Sequence, residues 1–121
     1  MNLLLIAIGG ALGSVARHLL STLVMRTSGT LFPLGTFIVN LVGCVVFGAI
    51  AGAAQHRFAL TPEARAFLLV GVLGGFTTFS SFGLDTFTLA HGGNSAAAFW
   101  NVVGQVCLGI GGVWLGYYLA L

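Results

Sequence analysis

Four long apolar stretches, separated by short loops and holding few charged side chains, occupy nearly all of this chain. A bilayer core about 30 Å thick takes about 20 helical residues at 1.5 Å rise each, and every stretch reaches that length. The pattern predicts transmembrane helices over residues 2–24, 34–54, 62–89 and 95–121, in one domain spanning residues 1–121. Composition agrees: 5% of the 121 residues are charged and 58% are hydrophobic, whereas a soluble domain carries roughly 25% charge. The expected class is therefore an all-α integral membrane protein.

Charge also excludes partners. Four arginines, no lysine, Glu63 and Asp85 give a net charge of +2, too sparse and scattered for a nucleic-acid footprint. Partners must come from the bilayer or from small solutes. Cys44 and Cys107 stand singly in apolar stretches and read as small buried residues. The first stretch has no basic segment before it and no clear cleavage signal after it, so it reads as a retained helix.

The loops give start signals and an orientation problem. Thr61, Pro62 and Glu63 read as an N-cap, a first-turn proline and an acid favoured by the helix dipole. Four crossings place both termini and the second loop, with Arg57 and Arg65, on one side. Arg26 and the snorkelling Arg17 with His18 lie toward the other, so the positive-inside signal is nearly a tie. Antiparallel pairing of two copies would suit so balanced a chain, and would thicken the wall that four helices can build around a pore.

Each stretch carries one Gly-xxx-Gly pair: Gly9 with Gly13, Gly48 with Gly52, Gly71 with Gly75, and Gly112 with Gly116. Small residues let helix backbones approach where water cannot drive association. Their presence in all four stretches predicts a tight bundle.

The segment Gly74-Gly75-Phe76-Thr77-Thr78-Phe79-Ser80-Ser81-Phe82 lies in the middle of the third stretch and is a poor helix. Two glycines cost roughly 1 kcal/mol each relative to alanine, and Thr and Ser side chains compete for backbone hydrogen bonds. Two readings stand: a helix kept intact by Ser and Thr back-bonding, or a break at membrane depth. A break is tolerated only inside protein or beside a wet cavity, where its freed carbonyls can hold a hard cation such as Na⁺. Phe76, Phe79 and Phe82 recur every third residue; their positive ring edges could rest against an anion, although such spacing also serves packing and lipid contact. Hydrogen-bond donors exist nearby in Thr36 and Asn40 on the second helix and in Thr78, Ser80 and Ser81 on the third. An amide this deep needs a helix partner or a solute, so Asn40 is either interhelical glue or an ion contact.

Three segments carry a family likeness: Gly9-Gly-Ala-Leu-Gly-Ser-Val-Ala-Arg17, Pro33-Leu-Gly-Thr-Phe-Ile-Val-Asn40 with Gly43, and Gly71-Val-Leu-Gly-Gly-Phe-Thr-Thr-Phe-Ser-Ser-Phe82. Over almost its whole length the chain resembles the small microbial fluoride channels, a family also known under camphor resistance. The resemblance implies an antiparallel, dual-topology homodimer in the cell (inner or plasma) membrane, with a broken third helix and two pores. It implies passive export of fluoride that lowers its cytoplasmic level and protects against its toxicity. It also implies a structural, untransported Na⁺ held by backbone carbonyls of Gly74 and Thr77. Phe79 and Phe82 would be pore-facing rings and Asn40 would present its amide to the ion. Thr36, Ser80 and Ser81 would supply further pore hydroxyls, and Arg17 a possible vestibule charge. Ser81 stands where relatives usually have threonine, which keeps the hydroxyl. Gln105, one turn from Asn101, stands where a serine is common, leaving the fourth helix's contribution open.

Rival functions read less well. A proton-coupled exporter of the small multidrug type needs a buried carboxylate in its first helix, and this first helix has no acid. A non-conducting or hetero-oligomeric membrane subunit is the other alternative. Enzyme activity is not expected, because the three histidines lie near helix ends without a matched nucleophile or ligand set.

Overall fold

The computed structural model describes residues 2–121. Four helical spans are long and apolar enough to cross a membrane, and the described residues form no strand. Helix α1 is Asn2–Ser28 and α2 is Leu34–His56. The third span is segmented into α3 (Pro62–Arg65), a π-helix π1 (Ala66–Leu73), the single turn α4 (Gly74–Phe76) and α5 (Phe79–His91). Helix α6, Ser95–Leu119, completes the bundle.

Local chemistry sets the ends. Helix α1 continues through Arg26 to Ser28, where Thr27 Oγ1 donates back to the carbonyl of Leu23 at 2.9 Å, and Gly29, at φ +63°, turns the chain away. Thr61 caps α3, its Oγ1 accepting from the N–H of Ala64 at 3.1 Å, with Pro62 in the first turn. Asn94 caps α6 in the same way, through Ala97.

The bundle consists of two close helix pairs. Helix α1 lies along π1 and α4, and α2 lies along α6. The glycine pairs line these seams. A Cβ at Gly13 would fall on the carbonyl oxygen of Val72, and one at Gly116 on that of Val45. Backbones meet so directly that nothing but hydrogen fits between them, which maximises dispersion contact where the solvent is as apolar as the side chains.

Burial is inverted relative to a soluble protein. Large apolar side chains such as Leu12, Val70, Leu108 and Trp114 face outward, as a hydrocarbon surround requires. Few large apolar side chains are buried: besides Val39, Ala66, Leu73 and Ala98, the interior holds the polar Thr78, Asn101 and Gln105. Polar groups so placed are costly unless paired. Among the described residues every buried side-chain nitrogen and oxygen has a hydrogen-bond partner.

Candidate ion site

The site is built around two residues where the third span stops being helical. Thr77 (φ −84°, ψ 156°) and Thr78 (φ −149°, ψ 121°) are extended, between helical Phe76 and helical Phe79. The glycines Gly74 and Gly75 are themselves helical. Gly75 is small for packing, since a Cβ there would lie 2.6 Å from the carbonyl oxygen of Gly10. The threonines are what depart from the helix. Gly43 on α2 leaves room for the methyl group of Thr77, and Thr77 Oγ1 donates to the carbonyl of Leu73 at 3.0 Å.

Asn40 holds Thr78 from both sides of its peptide. Its Oδ1 accepts the Thr78 N–H at 2.9 Å, and its Nδ2 donates to the Thr78 carbonyl at 3.1 Å. Thr78 in turn caps α5, its Oγ1 accepting from the Ser81 N–H at 3.2 Å and lying 3.3 Å from Ser80 Oγ. These bonds divert two donors. In a continuous helix the N–H of Thr78 would close on the carbonyl of Gly74, and that of Ser81 on the carbonyl of Thr77. Here they go to Asn40 and to Thr78 Oγ1 instead. The carbonyls of Gly74 and Thr77 are thereby released from helical pairing, and Gly74 lies exposed on this single chain.

Two cavities meet at Thr78. One, of about 210 Å³, is lined by Arg17, His18, Ser21, Thr36, Thr78 and Ser81. It gathers three of the expected residues, Arg17, Thr36 and Ser81, from three helices. The other, of about 490 Å³, is shallow and mostly apolar, with Asn40, Gly43, Thr77, Thr78 and Phe79 among its lining. Phe79 is 82% exposed. Its ring centroid lies 5.6 Å from that of half-buried Phe82, with the planes tilted by 51°. Ser80 is exposed beside Thr78.

Both amide hydrogens of Asn40 are in use. One goes to the Thr78 carbonyl, and the other to Gln105 Oε1 at 2.8 Å. Gln105 Nε2 donates to Asn101 Oδ1 at 3.0 Å, Asn101 Nδ2 donates to Thr86 Oγ1 at 2.9 Å, and Thr86 donates to the carbonyl of Phe82 at 2.8 Å. Of these, the sequence signals Asn40, Phe82, and Asn101 with Gln105 one turn apart on an uncharged helix, but not Thr86; which of them pair is set by packing. Asp85 is a second residue that the sequence reading passed over. It lies midway along α5, its carboxylate beside Thr36.

The comparisons with known proteins bear on this arrangement. The family described as CrcB-like protein, Camphor Resistance (CrcB), matches residues 4–117. A protein of Methylobacillus flagellatus described as a fluoride-specific ion channel is 45% identical over 119 residues, covering 98% of this chain and 93% of the relative. One of Opitutus terrae, described alike, is 48% identical over 120 residues, covering 98% and 91%. One of Solibacter usitatus is 43% identical over 120 residues, covering 99% and 98%. Similarity at this level runs through every helix and through the extended step, and on that ground the chain belongs to the CrcB family.

Proposed function

We propose that this multi-pass membrane protein is a fluoride-specific channel, not an enzyme, that lets fluoride leave the cell passively. The observation that carries the reading is the meeting, at Thr78, of a polar cavity containing Arg17 with a face bearing the exposed ring of Phe79. The full-length similarity to proteins described as fluoride channels supports it.

The physical requirements are modest. Hydrogen fluoride enters neutral and dissociates in a less acidic cytosol, trapping the anion. A potential of 100 mV, negative inside, is worth about 2.3 kcal/mol per charge, or roughly 50-fold in concentration. Export then needs only a selective path. Arg17 attracts the anion to the polar cavity, and the hydroxyls of Thr36, Ser80 and Ser81 replace its water. Beyond Thr78 the positive edges of Phe79 and Phe82 take over, in surroundings dry enough to strengthen them. Asn40 lies between the two stages.

The functional unit is read as an antiparallel homodimer in the cell membrane, the halves inserted in opposite directions. An 82% exposed Phe79 and released carbonyls at Gly74 and Thr77 lie within one membrane-spanning stretch, and lipid satisfies no carbonyl. A second copy across this face would cover the ring and bring two sets of carbonyls together. Their oxygens fit a hard monovalent cation: Gly74 and Thr77 are the residues that would hold a structural Na⁺, which would supply positive potential between the two pores.

Fluoride efflux from liposomes containing only this protein is the test. Efflux driven by a fluoride gradient, with chloride retained, is expected. A correctly folded protein that releases no fluoride would overturn the reading and favour a subunit that conducts only beside a different chain.

A further inference from the structure

The amide chain that ends on Asn40 has a direction, and both of its ends are backbone groups of fixed polarity. At one end stands the N–H of Thr78, which can only donate; at the other stands the carbonyl of Phe82, which can only accept. Between them, Asn40, Gln105 and Asn101 each accept on oxygen and donate on nitrogen, and Thr86 passes its hydroxyl proton to Phe82. All four links from Asn40 to Phe82 are 2.8–3.0 Å long. Turning Asn40 or Gln105 over would set two donors or two acceptors face to face at both of its ends; turning Asn101 over would set two donors face to face at Gln105 and draw the Thr86 hydroxyl proton away from Phe82, so the orientations are mutually enforced. Burial makes that enforcement strong: Asn101 is 0% exposed and Gln105 is 8% exposed, out of reach of water that could substitute for a lost partner.

We propose that Gln105, braced by Asn101 and Thr86, is a positioning residue that sets the orientation of the Asn40 amide and, through it, holds the extended Thr77–Thr78 step. The inference rests on reading the chain as a channel, but its geometry does not. Gln105 need not touch the ion. Its Oε1 takes one Asn40 hydrogen, and the other is thereby directed to the Thr78 carbonyl. Its side chain spans from α6 to α2. The chain also joins the step at Thr78 to the backbone of a pore ring, Phe82, so a disturbance at Gln105 reaches both.

The decisive variant is Gln105→Met, which keeps length and bulk and removes both amide functions. Efflux from liposomes should fall about fivefold or more, while in an Asn40→Ser background the same change should cost less than about twofold, because the residue through which it acts is gone. A second readout does not depend on flux. In protein carrying ¹⁵N side-chain amides in micelles, the Asn40 amide pair, assigned by its disappearance in Asn40→Ser, should be protected from hydrogen exchange in the unmodified chain and lose that protection in Gln105→Met. Thr86→Val, which removes one hydroxyl at the far end, should loosen the same pair, and it carries the test if the methionine variant does not fold. Unchanged efflux in folded Gln105→Met, or an equal loss with and without Asn40, overturns the proposal. If the unmodified chain does not conduct at all, the channel reading fails and the amide pair decides: protection that is independent of Gln105 overturns the positioning role, and protection lost with it upholds that role.

Discussion

Thr78 holds together three local tasks: a clamp for Asn40, a cap for α5 and a wall shared by two cavities. Phe79, the next residue, has one task and almost no contact to enforce it within a single chain, being 82% exposed. Its value is therefore in the ring itself. Replacing Phe79 with Ile keeps the bulk and loses the positive edge, an interaction of about 1 kcal/mol per ring. In the transition state for permeation such a loss should lower fluoride efflux roughly five- to tenfold, with no change in thermal unfolding. Liposome efflux beside a melting curve checks this; a folded Phe79→Ile protein with undiminished efflux would remove the ring from the mechanism. Thr78→Val should act differently, because it deletes the acceptor for the Ser81 N–H. A lost N-cap costs about 1 kcal/mol, so this variant should both unfold more readily in detergent and conduct less.

At the scale of elements, the two helix pairs depend on carbonyl-to-glycine contact. Gly116 of α6 sits where any side chain would collide with the Val45 carbonyl of α2. The backbone there cannot yield as a flexible side chain would, so Gly116→Val should destabilise the bundle by about 2–3 kcal/mol or more. A lowered midpoint in a denaturing-detergent titration is the expected result. Gly111, on the same helix with nothing near its would-be Cβ, is the control: Gly111→Ala should leave the midpoint unchanged or raise it slightly, since alanine favours helix over glycine. The same seam geometry positions the site. Because α1 packs on π1 and α4 while α2 packs on α6, the extended step is pressed against Gly43 and Asn40 from one side and left open on the other.

For the whole molecule the open face and the balanced arginines lead to linked expectations. A carboxy-terminal reporter should be found on both sides of the membrane, because Arg57 and Arg65 on one side are offset by Arg26 and Arg17 on the other. Finding every terminus on the cytoplasmic side would exclude antiparallel self-pairing. Replacing Na⁺ on both sides with a bulky organic cation should reduce fluoride efflux and weaken the dimer together, since an ion bound only by the assembled pair stabilises that pair by mass action. Full efflux and an unchanged dimer after verified Na⁺ removal would eliminate the structural ion.

Four spans, their short loops, the Thr61 cap and the glycine seams were legible in the sequence because each depends on local chemistry: hydropathy over a bilayer's thickness, a capping hydroxyl, the absence of a side chain. The poor helix propensity of residues 74–82 was legible too, but its placement was not. Glycine lowers helix stability without forbidding a helix, and Gly74 and Gly75 remain helical, with the backbone of α1 at Gly10 close against Gly75. The chain leaves the helix at Thr77 and Thr78, where a distant amide on α2 competes successfully for one backbone N–H. Asn40 read from the sequence as either glue or ion contact, and the fold shows both its hydrogens engaged, one by a glutamine 65 residues away. Asp85 was read as one charge in a tally and proved to stand beside Thr36. What tertiary structure decided, in each case, was the partner of a polar group, because in an apolar medium a polar group takes the orientation of whichever partner packing brings within 3 Å, and no local pattern encodes which that is.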